Sequence, residues 1–445
     1  MQRRKLARYP ASRSAVLPSE TAPLSTLRGA ALYIGALLGP GLLLLPGLAA
    51  AEAGPASVLA WTGLLVLSGV FALVFARLGR SVPSAGGVAG YVTAGLGDRA
   101  GRATGWMFLA AVVTGAPVVC LIGAGYITAL TGGGQLVRAG TAALLLLAVL
   151  ALAAGGLRTS STAQLVLVGL LVALIGTAVA GSAGAARAAN WTPFAPHGWL
   201  AVGHAAATLM LSFVGWEAAA PLTSRFADQA RQLSRVMAIA LAVTSVLYLG
   251  LAVATIGVLG HGAGTLVPLA GLLRVAVGPG GTAGAAAAAA VLTLGTTNAY
   301  INGAAAMAGA LSRPGHGGGD AVSPGAVPRR PAPGFLAAIA ASGLLLITLY
   351  GLGLASPASL VAVPTALFLC VYLGCMIAAA RVLPGGARWA ALPAAVAVLV
   401  MLGYCGWALA APAAVAGAVF LRRRRADPAA ATPVVQERRP ADALL

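Results

Sequence analysis

The sequence predicts an all-α membrane protein of about twelve transmembrane helices. Three observations carry this. Of 445 residues, 59% are hydrophobic and only 8% charged, with a mean hydropathy of +0.92. A soluble domain has roughly 25% charged residues, so this chain lacks the polar side chains to cover a water-facing surface. Apolar runs of about 20 residues recur, each long enough as a helix to cross roughly 30 Å of hydrocarbon. Lipid admits only helices and closed barrels, because backbone groups must find partners without water. The runs show no period-two alternation, which excludes the barrel.

The spans fall near 29–51, 56–76, 105–130, 139–156, 162–183 and 201–223, then 236–260, 281–311, 334–354, 358–380, 388–404 and 407–421. The stretch 262–280 reads as a loop or a re-entrant piece. Residues 312–333, rich in Gly, Pro and Arg, read as a mobile loop. The transporter domain is then 29–421, between a basic segment 1–28 and a basic tail 422–445 expected to lie on anionic lipid. The Arg-rich start, apolar run and Ala-rich stretch 49–53 mimic a secretory leader. The run is too long for one, and it is expected to stay.

The formal net charge of +19 raises a nucleic-acid partner, but the basic residues form no patch with interleaved aromatics. They sit between apolar runs. With the N-terminus inside, 25 of the 28 basic residues fall on the inner side, and only Arg138, Arg187 and Arg274 outside. That asymmetry obeys the positive-inside rule and puts both termini in the cytoplasm. Arg in place of Lys, with abundant Ala and Gly, points to a GC-rich bacterial genome and so to a bacterial cytoplasmic membrane. The four cysteines form no CxxC pair and the four histidines no metal-ligand spacing, so no metal is expected. No nucleophile–base pair or phosphate loop is present, so no catalytic residues and no enzyme activity are expected.

The first span contains Gly35-Ala36-Leu37-Leu38-Gly39-Pro40-Gly41. Proline removes a backbone donor and clashes with the preceding turn, and the glycines permit non-helical angles. The predicted result is a helix broken in mid-membrane. Its freed N–H groups and positive dipole end suit a carboxylate, and its freed carbonyls suit an ammonium group or Na⁺. The sixth span offers a counterpart, Leu211-Ser212-Phe213-Val214-Gly215-Trp216-Glu217. Glu217 is the one acid well inside a span, which marks it either as a functional acid or as a structural one capping a broken helix. Breaks in spans one and six are five spans apart, the signature of a 5+5 inverted repeat with two extra C-terminal helices. The repeats would cover about 29–183 and 201–380, and the extra helices about 388–421.

These motifs resemble the amino acid–polyamine–organocation superfamily, whose members have the LeuT-type fold. The first-span glycines with Pro46-Gly47 carry the likeness, as do Arg77-Leu78-Gly79, Pro83-Ser84-Ala85-Gly86-Gly87 and Tyr91. Gly105-Trp106 opens the third span in the same way, and Phe213–Glu217 matches the sixth. Thr104–Leu109 and Phe213–Glu217 are most similar to the bacterial L-methionine/branched-chain amino-acid exporter group. The resemblance implies secondary transport of an amino acid, bound between spans 1, 3, 6, 8 and 10. Gly39 and Gly41 would hold the carboxylate, and the carbonyls of Leu37, Leu211 and Val214 the ammonium. Phe213, Trp216 and the flexible Gly215 would shape the pocket and gate. Pro40 stands where relatives have Ser or Thr, which removes one carboxylate contact. Coupling would be to H⁺ or Na⁺. The fifth span has Gln164 but no Lys, and Thr296 and Thr297 in the eighth are the hydroxyls suited to Na⁺. No other cofactor is expected. The alternatives are an importer or exchanger of another amine, and a membrane sensor or structural protein that kept the fold without transport. The oligomeric state is open.

Overall fold

The computed structural model describes residues 25–39, 41–82, 87–156, 161–218, 229–311 and 330–424. Pro40, the motif at 83–86, the mobile-loop reading for 312–329 and the tails at 1–24 and 425–445 lie outside the described residues.

The described residues are helical almost throughout, and a helix answers each predicted span. The first span is two helices, α1 (Thr26–Leu37) and α2 (Gly41–Ala53). At 1.5 Å per residue each is about 20 Å long, too short to cross alone. Then come α3 (Ser57–Ser81), α4 (Gly87–Leu96), α5 (Asp98–Thr131), α6 (Gln135–Ala154) and α7 (Ser161–Ser182). The sixth span opens with α8 (Leu200–Leu209) and loses its α geometry at once. A 3₁₀ turn covers Met210–Phe213, Val214 is extended, Gly215 has φ +143°, and a second 3₁₀ turn covers Trp216–Ala218. The chain continues as α9 (Gln229–Leu259), α10 (Pro268–Val277), α11 (Pro279–Leu311), α12 (Pro333–Gly351), α13 (Pro357–Val382), α14 (Gly386–Gly403) and α15 (Ala410–Arg424). By length and composition, eight helical stretches among the described residues can each cross a membrane.

The stretch 262–280 is therefore not a plain loop. It holds α10, begun by Pro268 at a position where a missing N–H costs nothing. It lies on the first span so closely that a Cβ at Gly47 would sit 1.8 Å from the Thr265 carbonyl oxygen. Several helices also run past their apolar runs into charged residues. α5 begins at Asp98 and takes in Arg99 and Arg102, because backbone hydrogen bonding continues where the hydrocarbon stops.

Burial separates core from periphery. In the most apolar stretch of α5, 61% is buried, and in that of α13, 67%; for α6 and α7 the share is 28%. α5 and α13 thus form the centre, and α6 and α7 turn residues such as Leu144 and Val166 outward, as lipid permits. α1 packs on α7 and α9, and α2 on α8. This encloses the two broken spans.

Candidate functional site

The broken spans meet at their breaks. A Cβ at Gly215 would lie 3.0 Å from both the carbonyl carbon and oxygen of Ala36. A glycine is required there twice over, by the close approach and by its positive φ. Beside this contact lies a cavity of about 80 Å³, several times the roughly 10–15 Å³ that one water needs. Its walls come from Ala36, Leu37, Gly39 and Gly41 of the first span, Leu211, Ser212 and Val214 of the sixth, and Thr296, Thr297 and Tyr300 of α11. α5 presents Ala111, Gly115, Val119 and Ile122, one face at helical spacing, and Phe368 of α13 closes the side. These are spans 1, 3, 6, 8 and 10.

Breaking a helix in lipid leaves backbone groups that must find partners. Tyrosines supply many of them. The Tyr248 hydroxyl of α9 bonds to the carbonyls of both Leu37 and Ser212, one from each break. Tyr300 donates to the Ala36 carbonyl at 3.4 Å, and Tyr126 to that of Leu43 at 2.7 Å. Past the break, the Gly39 carbonyl accepts the Leu42 N–H at 3.1 Å, starting α2 with its N-terminal end at the cavity. The first N–H groups of a helix have no partner within it, so this end offers donors to an anion. Ser212 Oγ and Thr297 Oγ1 are buried on the cavity wall without a hydrogen-bond partner. Such orphans suit a polar ligand or water.

Glu217 faces the break rather than the cavity. Its Oε2 accepts the Gly215 N–H at 2.8 Å and the Tyr372 O–H at 2.6 Å. The Tyr372 oxygen is also 3.2 Å from the Gly215 nitrogen and 3.3 Å from the Phe213 carbonyl oxygen. The carboxyl and phenol together hold the turn at 213–217.

Of the residues singled out in the sequence, Leu37, Gly39, Gly41, Leu211, Val214, Thr296 and Thr297 line the cavity. Phe213, Gly215, Trp216 and Glu217 do not. Trp216 turns into the protein and donates its indole N–H to Ser68 Oγ at 2.8 Å. Phe213 packs against Trp61 and Tyr248, with ring centroids 5.8 and 5.3 Å away. The Leu37 carbonyl already accepts Tyr248, leaving one lone pair for a ligand. Sequence reasoning missed Tyr248, Tyr300, Tyr372, Phe368 and the α5 face. A phenol inside an apolar span was the available signal, because its hydroxyl needs a partner there.

The amino acid permease family profile matches residues 24–316. YecA of Bacillus subtilis, an uncharacterized amino acid permease, is 33% identical over 410 residues, or 91% of this chain and 96% of that protein. YjeH of Escherichia coli, an L-methionine/branched-chain amino acid exporter, is 38% identical over 234 residues, or 51% of this chain and 54% of its own length. The solved structure of MhsT in complex with L-phenylalanine superposes with a TM-score of 0.56 at 17% identity, covering 89% of this chain and 99% of that one, a likeness of fold. This chain, a polytopic helical transporter with the LeuT-type fold, belongs to the amino acid permease family.

Proposed function

We propose that the chain exports neutral apolar amino acids (methionine, leucine, isoleucine and valine) across the cytoplasmic membrane by alternating access. The supporting observation is the chemistry of the central cavity. Backbone at the break and the hydroxyls of Ser212, Thr296, Thr297 and Tyr300 offer polar contacts, and the other described lining residues are small, aliphatic or aromatic. Among the described residues no charged side chain lines it, so a cationic substrate side chain would be buried there without a counter-charge, at a cost of several kcal/mol. The carboxylate is held by the start of α2 at Gly39 and Gly41, and the ammonium by carbonyls of Leu37, Leu211 and Val214. Export is supported by the likeness to the E. coli exporter over half of each chain. The basic-residue asymmetry supports cytoplasmic termini and an outward-facing α5–α6 turn. Coupling is to H⁺, with Glu217 as the acid, or to Na⁺, with Thr296 and Thr297 as hydroxyl ligands. Gln164 sits against Gly35 just before the break and brings no charge.

The test is flux of labelled amino acids in proteoliposomes under separate pH and Na⁺ gradients. Leucine and methionine should move; no flux with any amino acid would sink the transport reading. Arginine flux without leucine flux would sink the apolar-pocket reading. A narrower cavity should discriminate by size. Gly115 lines the cavity and a Cβ there meets nothing closer than Pro364 Cβ at 3.6 Å, an ordinary contact, so Gly115→Val is expected to narrow it. Leucine and methionine transport should fall about tenfold while alanine transport changes by less than about twofold, as expected when 1–3 kcal/mol of pocket contact is at stake. Equal loss for all three would place the substrate elsewhere.

A further inference from the structure

Two further cavities lie in line with the central one, and neither is used above. The first, about 20 Å³, shares Val118 and Ile122 with the central cavity and is walled by Leu44, Leu121, Leu266 and Leu360. It has room for about one water. The second, about 470 Å³, opens beyond it and is bounded by the glycine turn 133–134, Gln135, Gly353 and Ser356. Arg138, Leu266, Tyr350 and Pro357 belong to both. Three spaces with shared walls thus step from the central cavity to the mouth by the α5–α6 turn, and Arg138 borders both of the outer two.

Arg138 is one of only three basic residues on that side. It is half-buried, and its guanidinium has two hydrogen bonds, Nε to Thr128 Oγ1 at 3.4 Å and Nη1 to the Tyr350 hydroxyl at 3.1 Å. Among the described residues it forms no ion pair, and most of its five donors are uncommitted. A guanidinium fork without a carboxylate, half out of water, is a strong site for one, since the paired geometry gives two parallel charge-assisted bonds. The leucines beside it give an apolar side chain somewhere to lie.

We propose that Arg138 is a second carboxylate-binding station, on the outer path between the central cavity and the mouth, that takes the carboxylate of the transported amino acid. The proposal rests on the transport reading only in that the solute is a carboxylate. In passage, Arg138 exchanges its bond to the neutral Tyr350 hydroxyl for the carboxylate, and the 20 Å³ narrowing keeps this station distinct from the central one.

The probe is 4-methylpentanoate, the leucine skeleton without its amine, compared with its neutral amide. The measurement is thermal stabilisation of the solubilised full-length protein as each is titrated, read in a Gly115→Val background whose narrowed central cavity disfavours the branched acid. The carboxylate should stabilise the protein and the amide should not. Arg138→Gln should weaken the apparent affinity at least tenfold, whereas Tyr350→Phe, which keeps the charge and loses the tie, should retain it. Stabilisation that persists in Arg138→Gln, or that falls equally in Tyr350→Phe, would make Arg138 a structural tie between α5, α6 and α12. So would equal stabilisation by acid and amide. Should Arg138→Gln not yield monodisperse protein, Arg138→Lys decides: a threefold or greater loss supports a bidentate fork, and wild-type affinity overturns it. Because the readout is binding, a wild-type protein that binds the acid but moves no amino acid sinks the transport reading and leaves this site standing.

Discussion

Alanine at position 215 is expected to stop transport while leaving a folded protein. Gly215 holds φ at +143°, where a side chain costs about 1–3 kcal/mol, and the new methyl would meet the Ala36 backbone at 3.0 Å. Backbone cannot swing aside as a flexible side chain does, so the two breaks must separate by a few tenths of an ångström. If that strain falls on one of the two access states more than the other, 1–3 kcal/mol shifts their balance about 5- to 150-fold. Leucine flux in proteoliposomes should drop at least tenfold, with the melting temperature lower by a few degrees. The control is Gly63→Ala, where the added methyl meets nothing within 4 Å and both quantities should stay put. Wild-type kinetics in Gly215→Ala would mean that the breaks need not touch.

Glu217→Leu should have the larger effect on stability, and the contrast with Glu217→Gln should define what the carboxyl does. Leucine has a similar size and accepts no hydrogen bond. The Gly215 N–H and Tyr372 O–H would lose the oxygen they share at 2.8 and 2.6 Å. They would fall back on longer bonds, Gly215 N–H to the Tyr372 oxygen at 3.2 Å and Tyr372 O–H to the Phe213 carbonyl at 3.3 Å. Losing two short bonds to a carboxyl oxygen costs about 1.5–3 kcal/mol apiece, a large share of the total stability of many folds. Very low yield or a collapse in melting temperature is expected. Glutamine keeps an amide oxygen that can accept from both donors. Its melting temperature should stay within a few degrees, and a flux within about threefold with an unchanged pH profile between pH 5 and 8 would leave Glu217 a structural acid and assign coupling to Na⁺. A well-folded glutamine variant that lost flux or pH dependence would instead make Glu217 the proton carrier.

The spans were legible because hydrocarbon imposes a length and a polarity that composition alone reveals. Their ends were not, since α5 and α9 continue as helix through Asp98, Arg99, Arg231 and Arg235 once past the lipid. The break in the first span was legible because Pro and Gly act locally, and the backbone positions beside it could be named. The orientation of Phe213 and Trp216 could not. Helical periodicity assigns faces only while the helix lasts, and the 3₁₀ turn and the Gly215 conformation erase the phase between Leu209 and Trp216. Tyr248, Tyr300 and Tyr372 reach carbonyls or a carboxylate between 36 and 264 residues away in the chain, pairings that no local pattern encodes.

The touching breaks also bear on mechanics. Ala36 and Gly215 abut through main chain, and one phenol, with a single proton, ties the carbonyls of Leu37 and Ser212. Two levers that share a fulcrum cannot tilt independently. A swing of either half-helix at this point would load its counterpart directly, through the main-chain contact of Ala36 with Gly215 and through the Tyr248 bridge.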